Sequence, residues 1–127
     1  MSEQITTYSA LLGQIIGSLR QQRELDQADL AAALGISQAS YSRLEGGKAT
    51  WSVDQLITVS HRLQVEVTYV IQILERKAAD LAEAAHVDVI AAGRANSRGV
   101  EERQDTGGAF LAGAALGALL ATLITRK

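Results

Sequence analysis

Residues 26–48 read DQADLAAALGISQASYSRLEGGK, and this stretch decides the fold. Its first part predicts a short helix over Gln27–Leu34, because its apolar residues recur at a helical spacing. Asp26 stands at the N-cap position, and Asp29 follows three residues later as the second acid of a capping box. The apolar stripe consists of Leu30, Ala31 and Leu34. Such a stripe has to be buried against a neighbouring element, so this helix does not stand alone.

The residues after this helix specify a tight turn and a second helix. Gly35 occupies the position of a left-handed C-cap, and Ser37 stands where the next helix needs an N-cap. The second helix then covers residues 38–45 and ends at Gly46-Gly47. Two short helices joined by three residues that include a glycine are typical of a helix-turn-helix.

The segments on both sides of this motif also favour helix. Apolar residues recur at intervals of one, three and four over residues 8–23, with Thr6, Thr7 or Ser9 available as the N-cap. A further helix is predicted over Val53–Leu63, with Ser52 as its N-cap. The chain of 127 residues contains no proline, so nothing interrupts long helices. These features predict an all-α fold.

A long fifth helix is predicted over residues 66–85, although the β-branched residues near its start favour a strand by propensity alone. Its apolar residues step by four, three, four, three and four, which is a heptad seam. The seam consists of Val67, Ile71, Leu74, Ala78, Leu81 and Ala85. It has two interpretations, packing onto the domain's own core or contact with a second copy, and we favour the dimer contact.

Residues 87–127 differ in composition from the rest of the chain. Residues 87–106 are rich in glycine and scattered charges, which predicts a flexible linker with a short helical piece at 87–92. Residues 107–124 then carry no charge, and small residues, Gly113 and Gly117 among them, recur there every four positions. This apolar helix has three interpretations: a membrane anchor, an oligomerisation helix that packs on its own copy, or a loose tail.

The expected organisation therefore has four parts. A five-helix domain covers residues 1–75, and a helical extension that carries the second half of the seam covers residues 76–86. The linker and the apolar C-terminal helix follow as residues 87–106 and 107–127.

Charge and composition exclude several classes of function. The chain lacks cysteine, and its two histidines, His61 and His86, are far apart, so we expect no metal site and no cofactor. We find no acid pair, nucleophile–base set or phosphate loop, so we do not expect an enzyme. The net charge of the whole chain is −2. Residues 1–76 also have a net charge of −2, because they contain six basic and eight acidic residues. Such a domain binds phosphate weakly without specific contacts, and it therefore needs two copies to bind DNA well.

The second helix of the motif exposes groups that suit the major groove of DNA. Amide side chains pair with adenine, guanidinium groups pair with guanine, and hydroxyl groups reach bases or phosphates. The residues left exposed on this helix are Gln38, Ala39, Ser40, Ser42 and Arg43. The motif thus points to double-stranded DNA as the partner.

Residues 11–71 resemble the Cro/repressor-type (XRE) helix-turn-helix family. The resemblance is carried by Gln27, by Leu30-Ala31, by the Gly-hydrophobic-Ser turn at Gly35, by the exit from Ser42 to Lys48, and by the following helix. It implies a five-helix, repressor-like domain that binds operator DNA as a dimer on a palindrome.

The resemblance also assigns roles to single residues. It implies that Gln27 contacts a phosphate and braces Gln38, and that Gln38, Ala39 and Arg43 face bases. Ser40 and Lys48 are expected to face the DNA backbone, with Ser42 between the two roles, and Glu45 is expected to be structural. The complete expected DNA-binding set is Gln27, Ser37, Gln38, Ala39, Ser40, Ser42, Arg43 and Lys48.

Two positions depart from the family pattern. Ala49-Thr50-Trp51 replaces the proline that often follows the lysine, and Trp51 either fills the core beside the fourth helix or lies against the DNA backbone. Gln64 stands where glycine is common, so the turn into the fifth helix is either continuous or strained.

These observations favour a sequence-specific transcriptional regulator that acts as a homodimer or a higher homo-oligomer. The alternative is an assembly or interaction protein that uses the helix-turn-helix as a scaffold. The N-terminus lacks a basic region followed by an apolar stretch, which predicts a cytoplasmic protein associated with DNA. If residues 107–124 are a membrane anchor, the protein instead sits on the inner face of the membrane.

Overall fold

A computed structural model describes residues 4–91 and 110–125. Within these residues six helices contribute to a main core, and a small parallel sheet with its own apolar cluster lies beside it. In chain order the elements are β1 (Gln4–Thr7), α1 (Tyr8–Gln22), α2 (Gln27–Leu34), α3 (Gln38–Glu45), α4 (Val53–Leu63), α5 (Val67–Ala84), β2 (Val87–Ile90) and α6 (Gly113–Thr125). The predicted all-α fold is confirmed, and the five predicted helices of the domain are all present.

Side-chain caps fix where most of these helices begin. The Thr7 hydroxyl accepts a hydrogen bond from the Ala10 N–H at the start of α1. Asp26 and Asp29 form the predicted capping box at the start of α2. The N-caps of α3 and α4 are the predicted serines, and the α4 cap is itself a capping box closed by a glutamine. Local sequence therefore sets the starts of α1, α2, α3 and α4.

The connections that follow α2 and α4 both use left-handed backbone. Gly35 ends α2 with φ 70°, which glycine adopts without steric cost. Gln64 ends α4 with φ 61°, and a side chain at that angle is strained. Of the two interpretations of Gln64, the strained turn is the one that the structure shows.

The core collects one side chain or more from each of the first five helices. Its fully buried side chains include Leu11, Ile16, Leu30, Tyr41, Leu63, Val70 and Leu81. The heptad seam on α5 contributes directly, because Leu74 and Leu81 are buried in it, and Ile71, Ala78 and Ala85 pack against it half-buried. The seam thus serves the chain's own core, which is one of its two predicted interpretations.

A parallel pair of strands was not predicted. β1 pairs with β2 in the register Ile5↔Asp88 and Thr6↔Val89. The prediction of a short helix at residues 87–92 is therefore wrong, since residues 87–90 form a strand. The remainder of the expected linker, residues 92–106, lies outside the described residues.

The C-terminal segment joins the other edge of β1. Phe110 forms a bridge with Ile5, and the Leu111 N–H donates to the Ile5 carbonyl at 2.7 Å. The Thr6 hydroxyl donates to the Leu111 carbonyl at 2.6 Å. These bonds attach the start of the segment to the N-terminal strand, more than a hundred residues away in sequence.

Helix α6 packs on the domain rather than projecting from it. Leu116 is fully buried and Leu120 is nearly so, both within the main core. The helix contacts α1 and α5, and a Cβ added at Gly117 would lie 2.7 Å from the Gln14 side-chain oxygen. The small residue at 117 therefore permits close packing of α6 on α1 of the same chain.

The membrane-anchor interpretation of the C-terminal helix is not supported. Across residues 4–91 and 110–125, the structure contains no helix with both the length and the apolar character needed to cross a bilayer. Helix α6 has 13 residues, and two of its leucines, Leu116 and Leu120, are buried inside the domain.

Candidate nucleic-acid interface

Helix α3 has one exposed polar face and one buried face. Its exposed residues are Gln38, Ala39, Ser40, Ser42 and Arg43, as the sequence predicted. On the opposite face Tyr41 is fully buried and Leu44 is 3% exposed. The helix thus lies on the domain through its apolar side and presents amide, hydroxyl and guanidinium groups to the outside.

The start of α3 is held by two serines. The Ser37 hydroxyl accepts from the Ser40 N–H and donates to the Ser40 hydroxyl, each at 3.0 Å. Both side chains are exposed, so their hydroxyl oxygens still face solvent. A capped helix start places backbone N–H groups and hydroxyls together, which is a common way to contact DNA phosphate.

Two cations lie at the other end of the helix. The Arg43 guanidinium donates to the Lys48 carbonyl at 3.4 Å, and both side chains are exposed. A bond of that length holds Arg43 loosely, and it leaves most of the guanidinium donors free for another acceptor. Lys48 lies in the loop that leaves α3, so the two charges belong to one surface.

Glu45 anchors α3 to the two preceding helices. Its carboxylate accepts from Arg20 Nε at 2.7 Å and from Arg20 Nη2 at 3.2 Å. It also accepts from Gln27 Nε2 at 3.1 Å and from the Tyr41 hydroxyl at 2.5 Å. We call these four residues, Arg20, Gln27, Tyr41 and Glu45, the Glu45 cluster. The structural role expected for Glu45 agrees with this geometry.

The cluster is well protected from water, since the Arg20 and Glu45 side chains are each 11% exposed. Burial raises the pKa of Glu45, but the hydrogen bonds from Arg20, Tyr41 and Gln27 outweigh it, so that the pKa lies below its ordinary value. Burial and the hydrogen bond to Glu45 raise the pKa of Tyr41 above its usual range. Glu45 therefore stays ionised at neutral pH and holds its donors in place.

The cluster also changes the expectation for Gln27. Its amide donates to Glu45, whereas a brace to Gln38 does not occur among the hydrogen bonds of the described residues. That part of the expectation is wrong, because the carboxylate is a stronger acceptor than a neighbouring amide. Gln27 is half-buried, and its expected phosphate contact stays a prediction.

Sequence reasoning did not find Arg20 as a partner of this site. Arg20 lies in the polar run that ends α1, where solvent exposure is the ordinary expectation. Its guanidinium also donates to the Leu25 carbonyl at 2.9 Å, which fixes the loop between α1 and α2. No local pattern signals this pairing, because Arg20 and Glu45 are 25 residues apart.

Two glycines on α1 allow the end of α3 to approach closely. A Cβ at Gly13 would lie 2.6 Å from the carbonyl oxygens of Leu44 and Glu45. A Cβ at Gly17 would lie 3.2 Å from a carboxylate oxygen of Glu45. The absence of side chains at these two positions therefore sets how α3 sits on α1.

Trp51 is part of the core. It is 8% exposed, and its indole N–H donates to the Leu44 carbonyl at 3.2 Å. Its ring meets the Tyr41 ring edge-to-face at 6.2 Å between centroids. Of the two interpretations of Trp51, packing beside α3 and α4 is confirmed, and the contact with the DNA backbone is wrong.

The residues expected to form oligomer contacts are buried or half-buried within the chain. Leu74 and Leu81 are buried, while Val67, Ile71, Ala78 and Ala85 are half-buried on α5. Gly113 accepts a hydrogen bond from the Gln14 amide at 2.8 Å through its carbonyl, and Gly117 faces the same side chain. A role for these positions in oligomer contact stays a prediction.

Comparison with known proteins identifies the motif. The family model described as helix-turn-helix matches residues 16–70. No curated protein matches the chain. Among solved structures, the clp gene regulator ClgR from Corynebacterium glutamicum is 25% identical with a TM-score of 0.56, and the match covers 76% of this chain and 94% of ClgR. A second ClgR structure is 27% identical with a TM-score of 0.52, covering 55% of this chain and 91% of that one.

A restriction-modification controller protein, C.Esp1396I, shares the fold. It is 17% identical with a TM-score of 0.50, and the match covers 54% of this chain and 90% of the controller. At that identity the similarity concerns the fold alone.

Proposed function

Residues 16–70 form a helix-turn-helix domain of the Cro/repressor type, and from that premise we propose that this chain is a DNA-binding transcriptional regulator that reads a palindromic operator as a homodimer. Its partner is double-stranded DNA, and we expect it in the cell compartment that holds the DNA. Regulation by occupancy of an operator needs no catalytic group, so we propose no enzymatic activity.

The observation that carries this proposal is the exposed face of α3. Gln38, Ala39 and Arg43 lie exposed on one short helix whose other face is anchored by the Glu45 cluster. Because the helix is held at both ends, by the Ser37 cap and by Glu45, its backbone has one orientation on the domain. Fixed orientation is what direct recognition of base edges requires.

We assign the roles on this face by chemistry. Gln38 suits an adenine edge, Arg43 suits guanine, and Ala39 suits the thymine methyl group. Ser37, Ser40, Ser42 and Lys48 are proposed to contact phosphate or sugar, and Gln27 to contact a phosphate at the start of α2. The phosphate contacts position the helix, and the base contacts supply the specificity.

The dimer follows from charge and from exposed apolar surface. The chain has a net charge of −2, so one copy has little non-specific attraction to DNA. On α4, Val53 is 72% exposed and Ile57 is 39% exposed, one turn apart on the same side. A second copy placed on this face buries both, and two-fold symmetry then gives two reading helices for two half-sites. The half-buried members of the α5 seam are the second candidate for this contact.

Selection of bound duplexes from a random DNA library by the full chain tests the proposal. We expect enrichment of one sequence with two inverted half-sites, whose centres are about one helical turn apart or a multiple of it. Failure to enrich any sequence would overturn the proposed function. Enrichment of a single half-site, with a monomer mass in solution, would overturn the dimer alone.

The substitution Arg43→Ala tests the reading helix, with Arg76→Ala as the matched control. Both residues are exposed arginines, but Arg76 lies on α5, outside the α3 surface. We expect Arg43→Ala to weaken binding to the selected duplex by about 1–3 kcal/mol and to relax the preference at one base position. Arg76→Ala should bind as the wild type does. Equal affinities of the two variants for the selected duplex would instead favour an assembly or interaction protein that uses the helix-turn-helix as a scaffold.

A further inference from the structure

A groove separates the exit of α3 from the start of the C-terminal helix. It has a volume of about 460 Å³ and is partly open to solvent. One wall carries Ser42, Arg43 and Lys48, and residues 112–114 form the opposite wall. The groove thus lies between the proposed DNA-reading helix and a segment outside the matched helix-turn-helix domain.

The chemistry of the groove favours a phosphodiester. Among the described residues that line it, two are cations, one is a hydroxyl and none is acidic. The opposite wall consists of alanine and glycine, which keep the groove open and neutral. Phosphate oxygens accept hydrogen bonds from ammonium and hydroxyl groups, so Lys48 and Ser42 suit this ligand, and the Arg43 guanidinium, assigned above to a guanine edge, adds positive charge beside it.

The opposite wall is fixed in place by long-range contacts. The Gln14 amide donates to the Gly113 carbonyl at 2.8 Å, and the Thr6 hydroxyl donates to the Leu111 carbonyl at 2.6 Å. A Cβ at Gly47 would lie 3.0 Å from the Cβ of Ala112, so the exit loop of α3 and this wall are in direct contact. Because these contacts already hold the wall in place, DNA binding does not have to overcome the entropy cost of ordering it.

We propose that this groove is a phosphate-binding part of the DNA interface and that residues 112–114 are its outer wall. The C-terminal segment then enlarges the DNA-binding surface beyond the helix-turn-helix. The inference rests on the proposed function, because it takes the DNA backbone as the ligand. A volume of 460 Å³ accommodates a phosphate together with its sugar, which a continuous strand supplies.

A charge placed on the wall tests the proposal. Ala114 is exposed at the groove, and Ala118 is exposed one helical turn further along α6 and does not line the groove. We compare Ala114→Glu and Ala114→Lys with Ala118→Glu and Ala118→Lys in the full chain. A glutamate in the first turn of a helix is favourable for the helix itself, so weaker binding by Ala114→Glu does not arise from fraying of α6.

Binding is measured by fluorescence anisotropy on the selected duplex and on a random duplex at several salt concentrations. We expect Ala114→Glu to weaken binding to both duplexes by about tenfold, because phosphate contacts do not depend on sequence. We expect Ala114→Lys to steepen the dependence of log affinity on log salt concentration by about one unit. Both Ala118 variants should stay within about twofold of the wild type.

Equal affinities for Ala114→Glu and Ala118→Glu would overturn the inference. If the wild type binds no duplex at all, the proposed function itself fails. If the wild type binds and Arg43→Ala weakens it while the two glutamate variants are alike, only the groove proposal fails.

Discussion

The helix-turn-helix and the C-terminal segment are both short and helical, but they are held by different interactions. In residues 26–45 the helix starts and the turn are fixed by neighbours within four positions, such as the Asp26–Asp29 capping box. In residues 110–125 the bonds reach across the whole chain, from Thr6 to Leu111 and from Gln14 to Gly113. The first region carries its structure in its own sequence, whereas the second depends on the surface on which it packs.

The Glu45 cluster combines contacts between near neighbours with a contact between residues that are distant in sequence. It belongs to the helix-turn-helix, yet its strongest partner, Arg20, comes from α1. The local caps shape α3, and the cluster decides how α3 is oriented on the domain. The two regions therefore differ in the sequence separation of the contacts that hold them, and removing one contact at a time tests this difference.

The largest effect is expected for Glu45→Ala. The change leaves Arg20, Gln27 and Tyr41 without their common acceptor in a site that is shielded from water. We expect a loss of about 4 kcal/mol in the free energy of unfolding, in the range of broken buried pairs. Urea unfolding followed by circular dichroism measures it.

The control for this variant is Glu75→Ala, which removes an exposed acid from α5. It should change the free energy of unfolding by less than about 0.5 kcal/mol. If Glu45→Ala lowers the free energy of unfolding no more than Glu75→Ala does, the cluster does not stabilise the fold.

Leu116→Ala is expected to have the next largest effect. Leu116 is fully buried between α6 and the domain, so the change opens a cavity. We expect a loss of about 3 kcal/mol in unfolding free energy, within one cooperative transition. Leu119→Ala, at a half-buried position, should cost clearly less. If Leu116→Ala leaves the transition unchanged, α6 does not pack on the domain in solution.

Ser37→Ala removes a local interaction of the helix-turn-helix. The variant lacks the hydroxyl that accepts a hydrogen bond from the Ser40 N–H, so one helix cap is lost. We expect a loss of about 1 kcal/mol in the free energy of unfolding. The matched control is Ser42→Ala, on the same helix, where the serine is exposed and is not a cap. Equal stabilities of the two variants would contradict a role for the cap.

The smallest effect is the pH dependence that Glu45 contributes. Because its pKa in the folded chain lies below its ordinary value, its stabilising contribution is complete above that ordinary value. The contribution is then lost as the pH falls through the lower, folded pKa. We expect the stability difference between the wild type and Glu45→Gln to shrink as the pH is lowered from about 6 to about 3. Urea unfolding at a series of pH values measures it, and a constant difference would contradict the assignment.

Much of the domain was predictable because its signals are local. The bounds of α2, α3 and α4 agree with the sequence prediction, since an N-cap and a C-cap act on the backbone within a few residues. The exposed face of α3 was also predictable, because Tyr41 and Leu44 repeat at a helical spacing and the polar residues fall opposite them.

The strand pair and the partners of Glu45 were not predictable in the same way. Residues 87–90 become a strand only because Gln4–Thr7 lie beside them. A four-residue strand has no periodicity long enough to distinguish it from the end of a helix. Arg20 gives no signal of its role either, because a charged residue at the end of a helix is ordinarily solvated.

The sequence by itself determined the five helices of the domain, the N-caps of α2, α3 and α4, the turn at Gly35 and the polar face of α3. Only the tertiary structure decided which apolar surfaces are covered. Two leucines of the α5 seam and two of α6 are buried within the same chain, whereas Val53 and Ile57 stay exposed. Only the tertiary structure brought residues 112–114 beside Arg43 and Lys48. The physical reason is that caps and turns are directional bonds between near neighbours, whereas hydrophobic burial is non-directional and depends on where every other element packs.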